Sequence, residues 1–106
     1  MTAQIEKLAA AGIQLLPAEI TSHFIFQRDG FVAFVERREN LIDDRREEGF
    51  GNIGAPGLLT EHGFAALIWR GDQAFFIAKG FEQAASDGQV RAIRAFAADL
   101  ASALRL

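Results

Sequence analysis

The sequence predicts an α+β fold. It reads as a four-stranded antiparallel sheet made from two hairpins, with a short N-terminal helix and a long C-terminal amphipathic helix packed on one sheet face. Three observations carry this prediction. Ile20–Gln27 and Phe31–Arg37 are rich in β-branched and aromatic residues and flank Arg28-Asp29-Gly30, whose Asp-Gly pair supplies the positive φ angles of a tight hairpin. Phe64–Arg70 and Ala74–Lys79 flank Gly71-Asp72-Gln73 in the same way. From Val90 onward, Val90, Ile93, Ala97, Leu100 and Leu104 recur at steps of three and four, which is the period of one helix face.

At the N-terminus, Ile5 and Leu8 fall on one helical face, and Gly12 is placed to end that helix in a left-handed conformation with Ile13 against Leu8. Pro17 separates this helix from the first strand. At the other end, Ser86 and Gln89 have the spacing of a capping box, which sets the start of the long helix.

Between the hairpins lies a long charged and glycine-rich connection, residues 38–63. Glu36–Glu48 reads E-R-R-E-N-L-I-D-D-R-R-E-E, and a mixed charge run of this kind predicts a solvated segment with a helical turn near Leu41–Glu47. Gly49–Gly57 follows and has no periodicity of its own. Its first six residues spell G-x-G-x-x-G, but a dinucleotide fingerprint needs a strand before it and a helix after it. Arg45-Arg46-Glu47-Glu48 precedes it instead, and Ala55-Pro56-Gly57 follows. The remaining reading for the glycines is a compact loop, or a nest of amides that holds an anion.

Composition sets the outer bounds. The chain has 106 residues, 50% hydrophobic and 24% charged, which suits one globular domain with its own core. Ten Phe, one Trp and no Tyr make the aromatic content almost wholly apolar, so it calls for burial. With no cysteine there is no disulfide, thiol nucleophile or thiolate metal site. A net charge of −3 offers no general attraction to nucleic acid or an anionic membrane. No segment has the roughly 18–20 apolar residues of a membrane span, and the expected location is cytoplasmic.

The strands do not alternate apolar and polar residues. Phe64/Ala66/Ile68 and Ala65/Leu67/Trp69 are both apolar sets, as are Phe31/Ala33/Val35 and Val32/Phe34. A sheet with one solvated face alternates cleanly, so a second cover is expected here. The N-terminal helix, the long connection, a bound apolar ligand or a second copy of the chain could supply it, and a homodimer is the expectation.

Chemistry-bearing residues are few. His23 belongs to a strand face, while His62 stands beside Glu61 at a strand entry. Asp43, Asp44, Glu47 and Glu48 have helical spacing, but Arg45 and Arg46 neutralise them locally, so no metal site is assigned. Arg70-Gly71-Asp72 reads as hairpin chemistry. No cofactor is expected. The function that follows is a non-catalytic domain that binds itself, a protein partner or a small molecule, with Gly51, Asn52, Gly54, His62 and Trp69 as candidate ligand-binding residues. The alternative is a small enzyme with a site built from Asp43–Gly57 and His62, in which His62 or a carboxylate of the loop supplies the acid or base.

Overall fold

The computed structural model describes residues 2–17, 22–42 and 45–105, with residues 2, 40–42 and 45–48 as backbone only. The described elements, in order, are α1 (Thr2–Ala10), β1 (Gln14–Leu16), β2 (His23–Arg28), β3 (Phe31–Ile42), β4 (Arg45–Ile53), β5 (Gly57–Thr60), β6 (Gly63–Arg70), β7 (Gln73–Ala78), β8 (Phe81–Ala84) and α2 (Asp87–Leu104). All eight strands belong to one antiparallel sheet in the order β1-β2-β3-β5-β6-β7-β8, with β4 paired to β3 beyond this path. The sheet curls into a half-barrel.

This corrects the expected four-stranded sheet. The two hairpins are present as β2/β3 and β6/β7, but the connection between them is itself strand. β3 runs unbroken to Ile42, and β4 returns along it from Ile42↔Arg45 to Val35↔Ile53. Of the helical turn expected near Leu41–Glu47, Leu41, Ile42 and Arg45–Glu47 are strand instead, and Asp43 and Asp44 lie outside the described residues. Charge density reports solvent exposure but says nothing about backbone conformation, and a two-stranded ribbon can carry charge on either face, which hides its period. A 12-residue strand is about 40 Å long, so the ribbon accounts for the long axis of 49 Å against 26 and 24 Å for the others. β1 and β8 add one short strand at each edge; the expected strand start at Ile20 lies outside the described residues.

The glycine-rich stretch is also not a loop. β4 and β5 follow one another along the same edge of β3, and the register slips twice on the way. Val35↔Ile53 and Arg37↔Phe50 leave Gly51 and Asn52 opposite Glu36 alone, a β-bulge that bends the strand and raises its twist. Between Val35↔Ile53 and Val32↔Gly57 the β4–β5 side carries one further residue, at Gly54-Ala55-Pro56. Pro56 has no amide hydrogen for the ladder, which is why β4 and β5 separate there.

One face of the sheet, here called inner, carries both helices. Phe24, Phe26, Phe31, Ala33, Val35, Ala65, Ala74 and Phe76 point from it into a single core. α2 lays Val90, Ile93, Phe96, Leu100, Ala103 and Leu104 onto these residues. Its start is the expected capping box: Ser86 accepts from the Gln89 amide and the Gln89 side chain accepts from the Ser86 amide. α1 ends in a Schellman motif, with the Ile13 amide donating to Leu8 O at 2.9 Å, the Gly12 amide donating to Ala9 O at 3.0 Å, and Gly12 at φ +73°. Ile13 and Leu8 are both buried behind it.

Candidate functional site

Cross-strand register determines which side chains share the outer face. His23↔Glu36, Ile25↔Phe34 and Gln27↔Val32 place one set there; Gly57↔Ala66, Leu59↔Phe64, Ile68↔Phe75 and Ala66↔Ile77 continue it across β5, β6 and β7. The centre of this face is apolar. Phe64 reaches over Gly57, where a side chain would collide with its ring, and meets Phe34 edge-on with centroids 5.1 Å apart at 89°. His23 packs edge-on against the other side of Phe34 at 6.5 Å. Val32 is buried beneath this cluster, whereas Leu59 and Ile68 remain 56% and 42% exposed.

Charged pairs border the apolar centre on two sides. Glu36 accepts the Asn52 amide at 2.9 Å and faces Arg38 at 3.7 Å. On the opposite side Arg70 pairs with Glu82 and lies over the Phe75 ring at 5.2 Å. Each border thus has one cation and one anion.

The sequence-predicted site residues are spread over three regions. Gly51, Asn52 and Gly54 lie in and just after β4, where the amides of Asn52 and Gly54 donate to Glu36 Oε1 and to Phe34 O at 2.7 Å. Amides engaged this way are unavailable for an anion-binding nest. His62 stands on the β5–β6 turn against Phe81, with ring centroids 5.7 Å apart, in an open cleft with Glu61 and Gln83. Gly51 lies opposite Glu36 on β3, whereas β5 pairs with β3 at Phe31↔Leu58 and His62 follows beyond its far end, so the two do not form one site. Trp69, next to last in β6, faces the inner side, 45% exposed, with the Arg94 guanidinium 5.5 Å above its ring. Asp43 and Asp44 lie outside the described residues. Among the described residues no group of three His, Asp or Glu is placed to hold a metal ion, and no helix is long and apolar enough to cross a membrane.

The inner side carries a second feature. Beneath α1 a cavity of about 240 Å³ is lined by Leu8, Ala9, Ile13, Phe24, Phe26 and Phe50, with Ile5 and Leu15 at its rim. A second cavity of about 290 Å³, at the β1–β2 edge of the sheet, shares Leu15 and Phe24 with it and is also lined by Arg37 and by His23 and Ile25 from the outer face. The Arg37 guanidinium lies 4.3 Å above the Phe24 ring. Neither Arg37 nor Phe50 was singled out from sequence. The available signal was Phe50 between two glycines, a large–small alternation that fits a strand against a close neighbour.

Comparison with known proteins returns no match: no family model fits the chain, and no curated protein and no solved structure is significantly similar to it.

Proposed function

We propose that this protein is a non-catalytic association domain that pairs with a second copy of itself through the outer sheet face. The observation that supports this is the apolar centre around Phe34, Phe64, Leu59 and Ile68, on the face opposite both helices. Across β2, β3, β5, β6 and β7 it measures roughly 20 Å by 20 Å at strand spacing. That is about 400 Å², well within the range of the largest patch a monomer carries, and it matches the apolar half of the ~800 Å² that each partner buries in a standard interface. The borders would supply the polar remainder. Because each has both signs, a strongly charged partner gains little, whereas a two-fold copy can set arginine against glutamate.

Light scattering coupled to size exclusion tests the proposal. The wild-type chain is expected to elute as a dimer, and the Leu59→Lys/Ile68→Lys variant as a folded monomer with an unchanged far-UV spectrum. A wild-type monomer at the highest soluble concentration would end this reading.

A further inference from the structure

We propose that the cavity beneath α1 binds one small, uncharged and largely hydrocarbon molecule, seated against the rings of Phe24, Phe26 and Phe50. The site lies on the inner side and is independent of pairing through the outer face.

The lining selects the chemistry. Phe24, Phe26 and Phe50 form a connected aromatic floor, with centroid separations of 5.1 to 6.3 Å, and Leu8 and Ile13 close one wall. Among the described residues no polar side chain lines this space. A water placed there would find few of the two to four polar partners it needs, and a charged group would lose its hydration without gaining a partner. The three rings are tilted against one another by 42° to 59°, so they offer both edges and faces to a further ring.

The roof is held in place by contacts outside the cavity. Near the start of α1 the Gln4 side-chain amide donates to Leu104 O at 3.2 Å, and just past its end the Arg28 guanidinium donates to Ala11 O at 3.0 Å. A helix tied at both ends does not settle onto the rings and close the space. Packed interiors have few voids larger than a water molecule, which sets this one apart.

Size selects the ligand. A cavity of roughly 150 Å³ takes a benzene ring of six carbons. On the same scale the 240 Å³ beneath α1 takes roughly eight to ten carbons. Ile5 and Leu15, 55% and 56% exposed, stand at the rim and make the entry apolar. Two side chains are far too little for a second copy of the chain, which buries about 800 Å² on each partner in a standard interface. A small molecule that fills the cavity and covers part of both is the occupant that fits.

Isothermal titration with toluene, ethylbenzene, propylbenzene and butylbenzene tests the assignment, with phenylbutanoate as the charged counterpart and diphenylmethane as a ligand too large for the space. Saturable binding of one molecule per chain is expected. Affinity should rise about fourfold for each methylene from toluene to butylbenzene, the equivalent of 0.8 kcal/mol. Phenylbutanoate should bind about tenfold or more weakly than butylbenzene, and diphenylmethane no more tightly than toluene. Ala9→Phe, at an exposed helix position in the lining, fills the space and should lower butylbenzene affinity about tenfold or more. Leu15→Asp, at an exposed strand position, does the same from the rim if Ala9→Phe fails to fold. Methyl NMR shifts should concentrate on Ile5, Leu8, Ile13 and Leu15. No saturable binding, affinity indifferent to both substitutions, or shifts centred on Leu59 and Ile68 would each overturn the site. Phenylbutanoate binding as tightly as butylbenzene would overturn the uncharged class, and diphenylmethane binding more tightly than butylbenzene would overturn the size. A wild-type dimer that Leu15→Asp dissociates would assign the rim to a second copy and overturn the small-molecule reading.

Discussion

Phe64 meets Phe34 edge-on at 5.1 Å across a strand that separates them, and it can do so only because Gly57 lies under its ring. A Cβ on Gly57 would fall 2.6 Å from two ring atoms of Phe64 and closer still to the carbonyl oxygen of Ala65. The backbone cannot retreat without breaking the β5–β6 ladder. Gly57→Ala is therefore expected to destabilise the fold by about 3 kcal/mol, at the upper end of overpacking costs. At Gly51 the obstructing atoms are Arg38 Nε at 2.7 Å and the Oε1 and Cβ of Glu36, both at 2.8 Å. The two polar ends can swing aside, but the Glu36 Cβ is fixed to β3 and the bulge must shift, so Gly51→Ala should cost about 2 kcal/mol, less than Gly57→Ala, where a backbone oxygen and a ring stand in the way. Urea unfolding of the two variants tests the order, and equal losses would contradict it.

The aromatic pair itself is open to a double-mutant cycle. Phe34→Ala and Phe64→Ala each remove half-buried surface, but the coupling between them isolates the edge-on contact. A coupling of about 0.5–1.5 kcal/mol is expected. The measurement belongs at low protein concentration, so that pairing through the outer face does not add to it. A coupling near zero would mean that the rings share only area.

Arg28 ties three elements together. It donates to Asp99 Oδ2 at 2.8 Å and to the Ala11 carbonyl at 3.0 Å, and lies 5.6 Å above the Phe96 ring. The Arg28 side chain is largely buried while Asp99 is half exposed. Arg28→Ala should thus cost about 2 kcal/mol, since it strands the Ala11 carbonyl and uncovers Phe96. Asp99→Ala should cost no more than about 0.5 kcal/mol, because solvent screens the exposed partner. If the two losses in chemical denaturation prove equal, the ion pair rather than the carbonyl contact is the larger part.

At the start of α2, Ser86→Ala removes the side-chain acceptor of the Gln89 amide. A loss of about 1 kcal/mol is expected, with Ser86→Gly costing only a few tenths. Thermal unfolding of the pair distinguishes a lost cap from a general effect of substitution.

How far the sequence could be read differs by element. The Schellman stop at Gly12, the Asp29-Gly30 hairpin and the Ser86 cap are decided by chemistry within a few residues, so their signals survive in the chain itself. Both glycine and Asp29 take up the positive φ angles expected at the first hairpin. The buried stripe of α2 is legible for the same reason, because period and apolarity coincide in one segment. The 38–63 stretch had no such signal. Its charges describe solvent, and its glycines satisfy a steric condition imposed by Glu36, Arg38, Phe64 and Ala65, residues 13 or more positions away or across a turn. Such a condition does not exist until the strands pair.

The candidate sites divide along the same line. The sequence by itself determined that the strands are apolar on two faces, since alternation is a local property with a period of two. Which of those faces the helices cover, that Phe64 lies across Gly57 toward Phe34, and that Phe24, Phe26 and Phe50 floor a cavity beneath α1 were decided only by the tertiary structure. The reason is physical: strand register and helix docking bring together residues far apart in the chain, and neither leaves a mark on the composition or spacing of any single segment.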